Sequence, residues 1–391
     1  MRTDNRHIDL PPPFLSVSVP SLRGRTVSGI SVPEVLRMRR LDLNNKTILV
    51  TGSPGFIGAA LAIRLLDGMG GGTVVSLDNL NSYYDVGLKE YRLGLVERAA
   101  SASPVTHVFV RGSISDMELL DELFRTHRFD IVVNLAAQAG VRDSVVHPDV
   151  YMESNITGFF NILEACRRYP VEHLVYASSS SVYGRSSKIP FGTDDRTDRP
   201  ASLYAATKKS NELLAYSYSS LYGIPSTGLR FFTVYGPAGR PDMFCYSAAR
   251  KMAAGEKVRV FNGGDMRRDF TYIDDITEGV YRVLHGVPEA AVAEDGTPVP
   301  PYAVYNIGSG HPVRLPDFIR TLQEELVRAG VLPAGFDFDG CLEPAGMQAG
   351  DVPVTCADCT ALERDFGFKP GTGIRDGLRA FAKWYAEYYK Y

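Results

Sequence analysis

The chain has 391 residues, 45% of them hydrophobic, and a formal net charge of -3. Such a length can bury a large core in two or three units. The charge gives no basic field for nucleic acid, and no apolar run reaches the ~18 residues of a membrane span, so small molecules are the expected partners.

The first 43 residues carry Pro11 to Pro13, Pro20 and Pro33 with several arginines, and sustain no helical or strand period. They read as a mobile extension, 1–43, without the apolar stretch of a secretory signal. Asp4, Asp9 and Glu34 count against a transit peptide, and Met38, just before the first strand, is an expected alternative start of translation. Lys46-Thr-Ile-Leu-Val-Thr-Gly52 then reads as a short apolar strand running into Gly52-Ser-Pro-Gly55-Phe-Ile-Gly58, with a helix over 59–66. Strand, glycine turn and helix in that order predict a dinucleotide loop. Gly52 permits the tight turn, Gly55 lets backbone approach a pyrophosphate, Gly58 lets helix lie on strand, and the helix N-terminus receives the anion. A second strand over 73–77 ends in Asp78, whose carboxylate suits the adenosine ribose of NAD and repels the extra phosphate of NADP.

Strands are expected next at 105–110, 131–135 and 173–177, and helices at 116–125 and 154–168. This alternation predicts an α/β fold, a doubly wound parallel sheet of Rossmann type, over 44–235. A smaller mixed α/β substrate-binding lobe is expected over 236–391, with segments returning to the first domain. The Pro-, Ala- and acid-rich 287–301 stretch predicts a mobile surface connection. Ligands of such sheets bind beyond the carboxyl ends of the strands, so Ala136-Ala-Gln-Ala-Gly, Ser178-Ser-Ser-Ser-Val-Tyr-Gly and Thr233-Val-Tyr-Gly-Pro should line one crevice.

A long helix over Leu203–Tyr222 carries Tyr204 and Lys208, which the i, i+4 spacing puts on one face. A phenol keeps its proton until about pH 10, and a neighbouring ammonium favours phenolate, so the pair predicts a catalytic base. The five cysteines are odd in number and scattered, which predicts reduced thiols in a cytoplasm. Cys356-Ala-Asp-Cys359 lacks a second pair or nearby histidines, so no metal site is expected.

These segments, with Leu77-Asp-Asn-Leu-Asn-Ser-Tyr-Tyr-Asp85, Leu135-Ala-Ala-Gln-Ala-Gly-Val-Arg142, Arg230-Phe-Phe-Thr-Val-Tyr-Gly-Pro237, Gly239-Arg-Pro-Asp242, Arg268-Asp-Phe-Thr-Tyr-Ile-Asp-Asp275 and Gly350-Asp-Val-Pro353, resemble the extended short-chain dehydrogenase/reductases. Within that family the chain is most similar to nucleotide-sugar epimerases of the UDP-glucuronate 4-epimerase type, from about Lys46 to Tyr385. The resemblance implies NAD as cofactor, a UDP-sugar substrate and inversion at carbon 4 through a 4-keto intermediate. It adds Ser179 to Tyr204 and Lys208 as a catalytic group. It implies a cofactor set of Gly52, Gly55, Phe56, Ile57, Gly58, Asp78, Asn79, Ala136, Ala137, Gln138, Asn155, Tyr204, Lys208 and Phe231. It implies a substrate set of Ser179, Ser180, Ser181, Thr233, Arg240, Arg268 and Asp351, with Arg240 on a carboxylate or a phosphate. It also implies a homodimer through two helices per subunit, over 153–168 and Leu203–Tyr222.

Ser113 stands where the family usually has Asp, Asn134 where His is common, and Gln348 where UDP-glucose epimerases carry Arg. The serine loop holds Ser180 and Ser181 where related dehydratases and decarboxylases carry carboxylates, so elimination lacks its acid and base. The alternatives are a 4-epimerase of UDP-glucose or UDP-N-acetylglucosamine, then a decarboxylase or dehydratase, then a catalytically silent NAD-binding regulator.

Overall fold

The computed structural model of the chain describes residues 37–346 and 352–391. Residues 1–36 of the expected extension, with Gln348 and Asp351, lie outside the described residues. Seven strands form one parallel sheet: β1 (Lys46–Thr51), β2 (Gly72–Asp78), β3 (Thr106–Arg111), β4 (Ile131–Asn134), β5 (His173–Ser179), β6 (Ser226–Phe231) and β7 (Tyr302–Ile307). Their spatial order is β7-β6-β5-β4-β1-β2-β3. This is the expected Rossmann-type α/β sheet.

The side chains of β1 explain why this stretch is a central strand. Ile48 and Val50 join one apolar core and Leu49 another, as the two-residue period of a strand requires. The first core adds Leu61 and Leu65 from the Phe56–Gly68 helix and Ile276 and Val280 from the Ile273–Leu284 helix. The second adds Leu120 and Phe124 from Met117–His127, Ile162 from Phe159–Arg168 and Ala215 from Leu203–Tyr222. Covered on both faces, the strand has to be apolar throughout, and each fully buried side chain of this kind contributes about 1.5–3 kcal/mol.

The chain runs outward from β1 through β2 to β3, then returns to the other side of β1 as β4. That reversal opens a crevice beyond the carboxyl ends of β1 and β4. β7 comes from beyond residue 236 and pairs in parallel with β6. A separate core gathers Phe270, Phe318, Leu322, Leu378, Phe381 and Trp384, with the rings of Phe270 and Phe318 stacked at 3.9 Å. Two sequence expectations differ in detail. The helix expected from 154 opens as a π-helical turn, Met152–Gly158, before Phe159–Arg168. The 287–301 connection carries short antiparallel pairings, Gly286–Pro288 with Met38–Arg40 and Ala291–Val292 with Pro298–Val299. Among the described residues, no helix is long and apolar enough to cross a membrane.

Candidate active site

A cavity of about 970 Å³ lies beyond the carboxyl ends of the strands. One wall is the glycine turn, with Gly52, Gly55, Phe56, Ile57 and Gly58 all lining it. Gly52 has φ +70°, and a Cβ there would stand 2.8 Å from the Ala136 amide nitrogen. At Gly58 a Cβ would stand 2.2 Å from the Gly52 carbonyl oxygen, which is backbone and has nowhere to go. The helix begins at Phe56 behind Gly55, which has no side chain to cap its first amides. An uncapped helix start under side-chain-free backbone fits a pyrophosphate.

Asp78, at the end of β2, and Asn79 line the same cavity. The Asp78 carboxylate accepts from the Leu80 amide at 2.6 Å and has the Lys89 ammonium at 3.8 Å. Burial raises its pKa, against the opposing charges of Lys89 and Arg92 and the Leu80 bond. Ala136, Ala137 and Gln138 follow β4 along the wall. Together these groups fit a dinucleotide with an unmodified ribose.

Ser202 caps the Leu203–Tyr222 helix by accepting from the Ala205 amide at 3.1 Å, which starts the helix just before Tyr204. Tyr204 is half-buried, its ring edge-on to Tyr151 at 6.2 Å. One turn on, Lys208 is buried and donates to the Ala177 carbonyl at 2.8 Å, with its ammonium 6.0 Å from the Tyr204 ring centre. Ser179 ends β5, and its Oγ accepts from the Ser181 amide at 3.2 Å and donates to Ser181 Oγ at 3.1 Å. Tyr204, Lys208, Ser179, Ser180 and Ser181 all line the cavity, with Phe231 from the end of β6.

The electrostatics correct one expectation. Burial raises the pKa of Tyr204, and the Ser179 hydroxyl and the Arg240 charge only partly offset it. Burial also lowers Lys208 to about 8, so its own charge is weakened rather than strengthened by its setting. Burial of the phenol and the Asp242 charge thus work against phenolate, and the Ser179 bond and the Arg240 charge work for it.

Thr233, Arg240 and Arg268 line the far end of the cavity. Arg240 pairs with Asp242 through both Nε, at 3.0 Å, and a terminal nitrogen. The Tyr83 hydroxyl reaches the same carboxylate at 3.4 Å. Arg268 donates to the Pro353 carbonyl at 3.1 Å. Ser113 lines the cavity, while Asn134 is buried and accepts from Thr51 at 2.7 Å.

Asn155 is not brought to the wall. Its amide accepts from the Gln138 backbone N–H at 2.8 Å and donates to the Gln138 carbonyl at 3.0 Å and to Thr207 at 3.0 Å. The π-helical turn aims it inward, so it braces the Gln138 segment from behind. Asp351 falls outside the described residues. Sequence reasoning gave no role to Asp242, Tyr83 or Lys89, although the first two sit inside motifs it quoted. The signal was present there, but the pairing of Asp242 with Arg240 is a matter of rotamers.

The NAD dependent epimerase/dehydratase family matches residues 48–308. UDP-glucuronate 4-epimerase 4 of Arabidopsis thaliana is 41% identical over 382 residues, covering 94% of this chain and 83% of the relative. A probable UDP-glucuronate 4-epimerase of Rhizobium meliloti is 41% identical over 352 residues, covering 88% and 97%. Among solved structures, UDP-glucuronic acid 4-epimerase from Bacillus cereus in complex with UDP-glucuronic acid and NAD is similar at a TM-score of 0.74 and 29% identity, covering 88% of this chain and 100% of that one.

Proposed function

Since this chain belongs to the NAD dependent epimerase/dehydratase family, we propose that it is an NAD-dependent 4-epimerase of UDP-sugars whose substrate is UDP-glucuronate, converted to UDP-galacturonate. The observation that carries the reading is one cavity lined by Tyr204, Lys208 and Ser179 together with an arginine and hydroxyls. When bound, NAD supplies the hydride acceptor and donor. Residues 44–235 hold it through the glycine turn, Asp78 and the 136–138 segment, and residues 236–391 mainly hold the nucleotide sugar.

Tyr204 exchanges a proton with the sugar hydroxyl at carbon 4, and Ser179 hydrogen-bonds the same oxygen as it becomes a ketone. Lys208 orients the ribose beside the phenol. A 4-keto uronate is a β-keto acid, which loses carbon dioxide when its carboxylate turns perpendicular to the carbonyl. Ser180, Ser181, Thr233 and Arg240 restrain that rotation through hydrogen bonds and charge. Arg268 and Asp351 hold the diphosphate and the uridine ribose. With hydroxyls rather than carboxylates at Ser180 and Ser181, dehydration lacks its acid and base, and decarboxylation is opposed by holding the carboxylate in place.

One observation favours a second reading, a neutral UDP-hexose as substrate. Arg240 is already neutralised by Asp242, so a site that kept this pair closed would suit an uncharged sugar. Incubation with each UDP-sugar and chromatographic separation of products decides between them. The Arg240→Ala variant is expected to lose about 100-fold in kcat/KM on UDP-glucuronate, the scale of a charge-assisted pair in a partly buried site. Unchanged kinetics on UDP-glucuronate would remove Arg240 from the site.

The chain is read as a cytoplasmic homodimer. Its five cysteines are free thiols, which supports the compartment. Phe160 on one helix and Leu213 and Tyr216 on the other are 44%, 60% and 48% exposed, an apolar face suited to a second copy. Light scattering on the purified protein should give twice the chain mass, and a monomer mass would end this reading.

A further inference from the structure

A buried guanidinium links the glycine turn to the segment just before Arg240. Arg92, on the Val86–Ser101 helix, is 1% exposed. Its Nε donates to the Ala238 carbonyl at 2.8 Å and one terminal nitrogen to the Gly239 carbonyl at 2.9 Å. The other terminal nitrogen donates to the Tyr84 hydroxyl at 2.6 Å and the Pro54 carbonyl at 3.3 Å. All four acceptors are neutral, an expensive way to bury a charge.

The acceptors are informative in sequence. Pro54 lies inside the glycine turn, between Gly52 and Gly55, and Ala238 and Gly239 lead directly into Arg240. Ala238 has φ +53°, the left-handed region that a residue with a Cβ seldom occupies. Such a backbone persists only where its surroundings over-determine it, and the Arg92 bond to its carbonyl is one such constraint. One turn before Arg92 on the same helix, Lys89 faces Asp78.

We propose that Arg92 is a positioning residue that locks the glycine turn to the strained turn presenting Arg240, so that the cofactor and sugar subsites take their binding shapes together. The proposal rests on the epimerase reading for the identity of its two ligands. Arg92 touches neither ligand in this account. It acts by holding Pro54 and Ala238 at a set separation, so a loosened glycine turn also releases the backbone under Arg240.

The test compares wild type with Arg92→Met, Arg92→Lys and Ala238→Gly. Three quantities are read: NAD retained per subunit after gel filtration, UDP-glucuronate KM and kcat with NAD in excess, and calorimetric affinity for UDP. Arg92→Met should lose NAD on the column and show KM raised about tenfold, with kcat lowered less than about threefold. Ala238→Gly suits the left-handed φ and keeps the carbonyl that Arg92 holds, so KM and NAD retention should both stay at the wild-type level, which sets the effect of Arg92 apart from strain in the turn. Arg92→Lys, which reaches only part of the acceptor set, should fall between. Arg92→Met with wild-type KM, or with raised KM but wild-type NAD retention, overturns the coupling. So does a variant in which only the folded fraction drops. Should the wild type turn over no UDP-sugar, the functional reading fails by itself, and NAD retention with UDP affinity still decides the role of Arg92.

Discussion

Tyr204→Phe is expected to lower kcat by about 10³-fold or more, the upper part of the range for a positioned acid or base. The substitution removes one oxygen and little else. Phenylalanine keeps the edge contact with Tyr151 and the capped first turn set by Ser202, so the melting temperature should stay within a degree or two of wild type. UDP-glucuronate affinity should change only a few-fold, because the role proposed for the lost group is at carbon 4 rather than at the nucleotide. Steady-state kinetics with resolved products, beside UDP calorimetry, measure both. A near wild-type rate would falsify the proton-transfer role, whereas a parallel loss of affinity would make Tyr204 a binding residue.

The largest effect on stability is expected at Glu212. Its carboxylate takes Nε and a terminal nitrogen of Arg230 at 2.8 and 2.9 Å and the Ser178 hydroxyl at 2.7 Å. Both members of the pair are below 5% exposed, at 3% and 4%. Glu212→Ala strands the guanidinium in the interior and should cost about 3–5 kcal/mol, measured by urea unfolding at neutral pH. The pH dependence has a definite sign. Burial pushes the Glu212 carboxyl up, but the bonds and charge of Arg230 carry it below the ordinary 4.5. Its stabilisation is therefore complete above about pH 4.5 and lost as the pH falls through the lowered folded value. The variant should show a flatter acid limb than wild type. If the two curves run parallel, the pair contributes no linkage. Ser178 adjoins Ser179, so the variant should also lose activity before it unfolds, and a fully active Glu212→Ala would separate this network from the site.

Local pattern made much of the fold readable. The run Lys46–Thr51 followed by three glycines at fixed spacing specifies strand, turn and helix through steric rules that act over a few residues. The i, i+4 spacing likewise puts Tyr204 and Lys208 on one helix face wherever that helix goes. Other features were not readable in this way. The opening of the 152–168 helix as a π turn has no local code, and it turns Asn155 from a wall residue into a brace behind Gln138.

Taken alone, the amino-acid order settled which groups the chain brings: three glycines at fixed spacing after a strand, a carboxylate at the end of the next strand, a phenol one turn from an amine, and a serine loop free of carboxylates. Each of these is local, set by backbone sterics or by helical period. Only the folded chain decided how that chemistry is tuned and joined. The raised phenol, the lysine drawn down to about 8, the Arg240–Asp242 pair and the Arg92 bridge between Pro54 and Ala238 all depend on desolvation and on contacts between distant segments. Those quantities arise from packing, and no spacing along the chain encodes them.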